Sequence, residues 1–479
     1  MHDLIQLMCK DIVLDEDRLD PRKRSRLWRH NDILQVLNKP KRVERVEALS
    51  LDMSQVSRII QLCPEVFEEM DNLRLLRFYF KDADWYGNPT SKLQLPQRGL
   101  EYLPNTLRLL QWDRYPSASL PSNFCPENMV CLGMPGSSLT QLWGGDNVHL
   151  VNLKVCDLRW SKELIKIMDF LGVPNLEELY LGECSSLVEI PSSLQLCRKL
   201  TKIIVSGCVN LCGFPSDLRL TSLEEVGLGR CPRITQLPKL PSTVKILYLE
   251  ESGIKQLTAA SIGHLTRLQK LVVGEIVESL PCEIGFLNCL QELLIRGGGP
   301  KVISIPDTIC NLPRLVRLDC SSCENLESLP NGIGRLKRLK TLGLSGCSKI
   351  RSLPSDIGEL TRLISLDLGG CSSITSLPES MRDLQSLAWL YLDGSVNLQG
   401  LRDILTPLNV SLEGLDLSGT SIEYLGSEAI ERLSNLGWLY VRDCKRLRCI
   451  QHLPPRLKML DAANCSSLTS VSSSPIPTS

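Results

Sequence analysis

A repeating α/β solenoid is the fold class this sequence predicts, and three observations predict it. An apolar pattern returns at a fixed interval, with Leu315, Leu339, Leu363 and Leu387 each 24 residues apart. Cysteines return with it, at Cys323, Cys347 and Cys371. Leu-Pro pairs close three consecutive units at Leu329-Pro330, Leu353-Pro354 and Leu377-Pro378. Stacked repeats share one growing core, so 479 residues need not divide into several globular domains.

The unit is clearest in Leu315-Val-Arg-Leu-Asp-Cys-Ser-Ser-Cys323-Glu-Asn-Leu326 and in the segments that start at Leu339 and Leu363. All three follow L-x-x-L-x-L-x-x-C-x-x-L, the pattern of a leucine-rich repeat. The same frame fits at Leu176, Leu200, Leu223, Val244, Leu268, Leu290, Leu412, Leu436 and Leu457. Weaker matches extend it back to Leu150, Met129, Leu107, Leu73 and Val46, about eighteen repeats across residues 43–470.

The pattern dictates the architecture. In L-x-x-L-x-L the alternating apolar residues face inward from a short strand, and successive strands stack into a parallel sheet. The back half of a unit, such as Leu353-Pro-Ser-Asp-Ile-Gly-Glu-Leu360, predicts a turn and a short helix on the convex side. Pro354 suits the start of that helix, where a missing N–H costs nothing, and Ile357 and Leu360 face the core. The wider back half curves the stack into a horseshoe with the sheet on its concave face, where such solenoids bind. Aromatic residues are only 5% of the chain, so the predicted core is aliphatic.

At the ninth position the chain turns inward, and its side chain must satisfy buried backbone groups. Cysteine can do this as a weak donor of apolar character. Cys184, Cys208, Cys231, Cys323, Cys347, Cys371, Cys444 and Cys465 all fall there, which makes them a structural ladder. Metal binding is the competing reading. No C-x-x-C is followed by a second pair at finger spacing, and Cys320 of the Cys320/Cys323 pair falls on a core position. No metal is expected.

Composition excludes other classes. Lys plus Arg and Asp plus Glu are both 54, which does not suit a duplex-DNA binder. Arg22, Lys23, Arg24 and Arg26 form the one dense basic run, and acidic neighbours such as Asp17 and Asp20 favour a solvated linker over a nuclear signal. No signal peptide is recognisable and no 18-residue apolar run occurs, so the expected compartment is the reducing cytosol, with the nucleus as alternative. Five histidines in no metalloprotease arrangement, and no G-x-x-x-x-G-K-[ST] loop, argue against an enzyme. No cofactor is expected.

The second, third, fifth, seventh and eighth positions face solvent. The fifth column includes Tyr180, Tyr248, Asp319, Asp367, Tyr391, Asp416, Tyr440 and Asp461. The third carries Arg317, Trp389 and Trp438. Tyr, Trp and Arg are enriched at interface hot spots. Arg317, Trp389, Tyr391, Asp416, Trp438 and Tyr440 are therefore the candidate protein-binding residues, against the alternative that the rings only stack on one another.

The ends give a family resemblance. Met1-His2-Asp3-Leu4, Arg24-Ser-Arg-Leu-Trp28 and His30-Asn-Asp-Ile-Leu-Gln-Val-Leu37 resemble the end of the nucleotide-binding (NB-ARC) region of plant intracellular immune receptors. Leu109-Leu-Gln-Trp112, Tyr115-Pro116, Leu120-Pro-Ser-Asn-Phe124, Pro126-Glu-Asn-Met129 and Gln141-Leu-Trp143 resemble the TIR–NB-ARC–LRR disease resistance proteins. The resemblance implies three segments: 1–42 as an NB-ARC remnant and linker, 43–470 as the repeats, and 471–479 as a disordered Ser/Pro-rich tail. It also implies that His2 and Asp3 match a nucleotide-sensing motif. They are expected to be inert here, because the P-loop and TIR sequences are missing and the chain reads as a fragment or truncated product. ADP or ATP would act only in a full-length receptor. The implied role is recognition of a pathogen effector, a guarded host protein or the receptor's own NB-ARC domain, with restraint of its nucleotide switch. A stand-alone repeat scaffold without an immune role is the alternative.

Overall fold

The computed structural model describes residues 3–38, 43–81, 92–96, 99–143, 149–274, 280–296, 302–397, 411–425, 430, 433–451 and 453–471, with only the backbone for 3–7. The chain divides into two compact units, 1–234 with 238–241, and 235–237 with 242–479. Both are leucine-rich-repeat stacks. In the first, parallel pairing runs in register from Leu27 through Leu49, Leu76, Leu110, Leu132, Cys156 and Leu179 to Ile203 and Val226. In the second it runs from Leu247 through Leu271, Leu293, Leu318, Leu342, Leu366, Leu390, Leu415 and Leu439 to Leu460. These are fourth-position residues, and nearly all are fully buried. A strand such as Ser365–Asp367 is three residues long and has no stability alone. It persists because each neighbour buries another layer of leucine, worth about 1.5–3 kcal/mol per fully buried side chain.

Two features depart from the sequence frame. The repeat placed at Leu150 starts at Leu153, since Cys156 is the residue that pairs with Leu179. The segment Leu150-Val-Asn-Leu153 imitates the start of a repeat, and Cys156 hides the true one by standing where leucine is usual. The sheet also begins before residue 43. Arg26–Leu27 pairs with Ala48–Leu49, and the frame missed it because Arg24 holds the first position. Arg24 is 4% exposed, and its guanidinium pairs with Asp32 at 2.6 Å and donates to the Asp17 carbonyl.

The side away from the sheet follows the pattern. The back halves form 3-10 turns, among them Ser192–Leu196, Cys282–Phe286, Ser355–Glu359 and Glu379–Asp383, where a turn and a short helix were predicted. Pro354 precedes its turn as the cap, with φ −59° and ψ 145°. The turn Ser355–Glu359 is five residues long, and the tighter 3-10 winding is frequent in short connectors of this kind. Gly285 and Gly358 sit in these turns, and a Cβ at either would collide with the backbone of the next turn. The apolar residues Ile357 and Leu360 face the core, as predicted.

The eighth position turns the chain. Its φ is positive in both units, as in Trp160, Glu183, Arg230, Ser322 and Asp443, and in Gly346, Gly370, Gly394 and Gly419. The left-handed turn lets this amide continue the ladder: Gly370 donates to the Asp393 carbonyl and Gly394 to the Ser418 carbonyl. For a residue with a side chain this conformation costs roughly 1–2 kcal/mol, which glycine avoids.

The ninth-position side chain then enters the core. Each ladder thiol donates to the sixth-position carbonyl of the preceding repeat: Cys184 to Leu158 and Cys371 to Leu344, both at 3.1 Å, and Cys444 to Leu417 at 3.2 Å. Cys208, Cys231, Cys323, Cys347 and Cys465 repeat the contact, with Cys323 the longest at 3.9 Å. Cys465 is the one partly exposed member. Hydroxyls fill the position in other repeats, as in Ser161 to Met134 and Ser395 to Leu368. Tyr115 takes it in the first unit, inside an aromatic cluster with Phe67, Phe78 and Trp112. The core there is aromatic, contrary to the aliphatic expectation.

Burial pushes the Cys184 and Cys371 thiols up to about 12. Only the thiolate attacks a labelling reagent, so these thiols are doubly protected. In a thiol titration of native protein, exposed Cys9, Cys63, Cys125, Cys212 and Cys282 are expected to react at once. Cys323, Cys347 and Cys371 are expected to wait for denaturant. Prompt labelling of these three would overturn the ladder.

Candidate functional site

The exposed sheet face of the second unit brings the predicted residues together. Register places Trp389, Gly414 and Trp438 side by side, and Tyr391, Asp416 and Tyr440 beside them. All four rings are half-buried on this face. Trp389 and Trp438 lie two strands apart, yet their ring centroids are 5.4 Å apart. Gly414 makes this possible, because the Trp389 ring lies over it and a Cβ there would collide with the indole. Trp389 also stacks on Tyr391 at 6.1 Å with a 14° interplanar angle. Sequence reading found the rings but not the glycine that lets them meet.

The stacking alternative is thus real: the rings do touch one another. An aromatic pair of this kind is worth about 0.5–1.5 kcal/mol beyond its buried area. The stack still leaves a half-exposed apolar platform on a face with no covering element among the described residues. Arg317 lies in the Trp389 column, separated by Thr341 and Ser365, roughly 14 Å away at ordinary strand spacing. Its guanidinium is already engaged with Asp319 at 3.0 Å.

Charge is distributed unevenly. On the first unit's face the ions satisfy one another. Arg159 pairs with Asp157 at 2.7 Å and lies over Tyr180, Lys202 pairs with Glu225 at 2.7 Å, and Arg230 pairs with Glu183. Around the indoles, Asp367, Asp393 and Asp416 have no ion-pair partner among the described residues. Asp367 accepts from the Gly369 amide at 3.0 Å and Asp416 from the Ser418 amide at 2.8 Å. Burial and the neighbouring carboxylates hold Asp367 and Asp393 above the usual carboxylate range. Burial and the same acids also raise Tyr391. These acids were in the sequence, but pairing both along a strand, as in Arg317–Asp319, and across strands, as in Lys202–Glu225, decides which charges remain open.

His2 lies outside the described residues, and Asp3 is described only as the first residue of the helix Asp3–Glu16. Among the described residues no group of three or more His, Cys, Asp or Glu side chains is arranged to hold a metal ion. No helix among them is long and apolar enough to cross a membrane.

Known proteins give the context. A family model described as a leucine-rich repeat region matches residues 231–349. The chain is 36% identical to disease resistance protein RPS6 of Arabidopsis thaliana over 330 residues, 68% of this chain and 28% of the relative. It is 32% identical to TMV resistance protein N of Nicotiana glutinosa over 465 residues, 96% of this chain and 37% of that protein. The chain thus spans about a third of the length of these relatives. Among solved structures, the plant peptide hormone receptor RGFR1 in complex with RGF2 shares the fold at 17% identity, with a TM-score of 0.50 over 90% of this chain and 82% of that one.

Proposed function

Because this chain is a leucine-rich-repeat region homologous to those of plant disease resistance proteins, we propose that it recognises a protein on the exposed sheet face of its second unit. The partner is a pathogen effector, a guarded host protein or the nucleotide-binding domain of the same receptor. Occupancy of the face would then bias that receptor's switch. The observation that carries the reading is the pair of touching indoles, Trp389 and Trp438, with the Trp389 ring seated over Gly414. Large rigid rings give contact area at little entropic cost, which is why Trp and Tyr anchor interfaces.

The proposal assigns no catalysis and no cofactor to the repeats. ADP or ATP would belong to a nucleotide-binding region beyond them. The expected compartment is the cytoplasm, with the nucleus as a second. The twenty free cysteines suit a reducing compartment, since the ladder thiols bond to carbonyls and not to each other.

A photo-crosslinking residue placed at Trp438 in plant cells, with a second at exposed Glu379 on the turn side as control, tests the reading. A protein captured from Trp438 and not from Glu379 should then bind the purified chain directly. Equal capture from both positions, or none from Trp438, would remove the face from consideration.

A further inference from the structure

We propose that the strip around Trp389 and Trp438 takes an arginine- or lysine-bearing stretch of a partner protein, its cations pairing with Asp367, Asp393 and Asp416 and lying against the indoles. The inference rests on the reading of this face as a binding surface and specifies what the surface accepts.

Charge complementarity carries it. On the strands Thr341–Gly343, Ser365–Asp367, Trp389–Tyr391 and Gly414–Asp416, the third, fifth and seventh positions hold three carboxylates and no cation. The flanks of the strip show what a cation would do in the middle. On one side Arg317 pairs with Asp319 at 3.0 Å. On the other, Arg442 pairs with Asp461 at 2.6 Å, and the Lys458 ammonium lies 5.1 Å from the Trp438 ring centroid. The sheet's own basic residues therefore satisfy the acids and the ring at both ends and leave the centre open. A guanidinium suits both partners there, since it binds carboxylates in a fork and stacks on indole faces.

The shape of the strip agrees. Gly346, Gly370, Gly394 and Gly419 occupy the eighth position in four successive repeats, so no side chain walls this edge. In the first unit the same column alternates, with Trp160, Glu183 and Arg230 among Gly136 and Gly207. A peptide backbone can lie along the glycine edge and turn its side chains onto the acids. Burial first, and the neighbouring carboxylates second, hold Asp367 and Asp393 above the usual carboxylate range, so a cation would favour their charged form.

The test uses the full chain and two labelled nonapeptides, one alternating arginine with serine and one with glutamine replacing each arginine, followed by fluorescence anisotropy. Three new charge pairs predict a preference for the arginine peptide of roughly ten-fold, weakening as salt is added. The variant D367N/D393N/D416N is expected to lose that preference. Asparagine keeps the oxygen that accepts from the Gly369 and Ser418 amides, and the repulsion disappears, so its melting temperature should hold or rise. The control E359Q/E379Q/D383N, on the turn side, should keep the preference. Equal affinity for both peptides, or a preference that survives in the triple asparagine variant, would overturn the proposal. Should the arginine peptide fail while crosslinking at Trp438 still captures a partner, the basic occupant falls and the binding surface stands.

Discussion

Replacing Trp112 with alanine is expected to cost about 3–5 kcal/mol of folding stability in the first unit. The indole is fully buried at a sixth position, with Phe78 at 4.6 Å, Tyr115 at 5.1 Å and Phe67 at 6.1 Å between centroids, all edge to face. Alanine would leave a cavity among three fully buried rings, one of them, Phe78, fixed in the adjacent strand Leu75–Tyr79. Phenylalanine should cost much less. The Trp112 Nε1 is buried without a hydrogen-bond partner, and removing an unsatisfied donor recovers part of its desolvation cost, about 1–3 kcal/mol. Denaturant unfolding followed by circular dichroism checks both variants. A loss below about 1 kcal/mol for Trp112→Ala would mean that the cluster does not hold the unit together.

The second large effect separates core from surface. Leu366→Ala is expected to cost roughly 2–5 kcal/mol, because Leu366 is fully buried between Leu342 and Leu390 and its neighbours pack from both sides. Trp438→Ala should cost about 1 kcal/mol, the worth of its contact with Trp389 plus an ordinary surface change. Melting curves read both. A Trp438→Ala protein as damaged as Leu366→Ala would mean that the indole points inward and that the strand register is wrong.

How much of this was legible beforehand depended on which interactions are local. Leu315, Leu339 and Leu363 set a 24-residue frame, and the strands Arg317–Asp319, Thr341–Gly343 and Ser365–Asp367 follow it directly. The cysteine ladder was equally readable, since the ninth position needs a donor and few residue types supply one. Where a polar or unusual residue replaced a leucine, the frame failed. Cys156 shifted one repeat by three residues, and Arg24, buried against Asp32, concealed a whole strand. Positive φ at Ser322 or Glu183 was invisible because neither residue favours it.

The candidate face was legible as a column of rings and acids, since strand alternation alone turns Trp389, Tyr391 and Trp438 outward. Its chemistry was not. Gly414 reads as an ordinary glycine until the Trp389 ring is placed over it. The contact between Trp389 and Gly414 joins repeats 25 residues apart, and a single sequence does not record it. Asp319 pairs with Arg317 two residues before it on the same strand, whereas no basic residue pairs with Asp367 among the described residues.

The claim that this face binds a protein while the leucines behind it hold the fold is tested most directly by one calorimetric titration. The partner captured through Trp438 is titrated into wild-type chain and into the Trp389→Ala/Trp438→Ala variant, both shown to be folded at the working temperature. Loss of two anchors predicts binding weaker by at least ~30-fold, about 2 kcal/mol. A Kd within about two-fold of wild type would place the binding energy elsewhere and contradict the account.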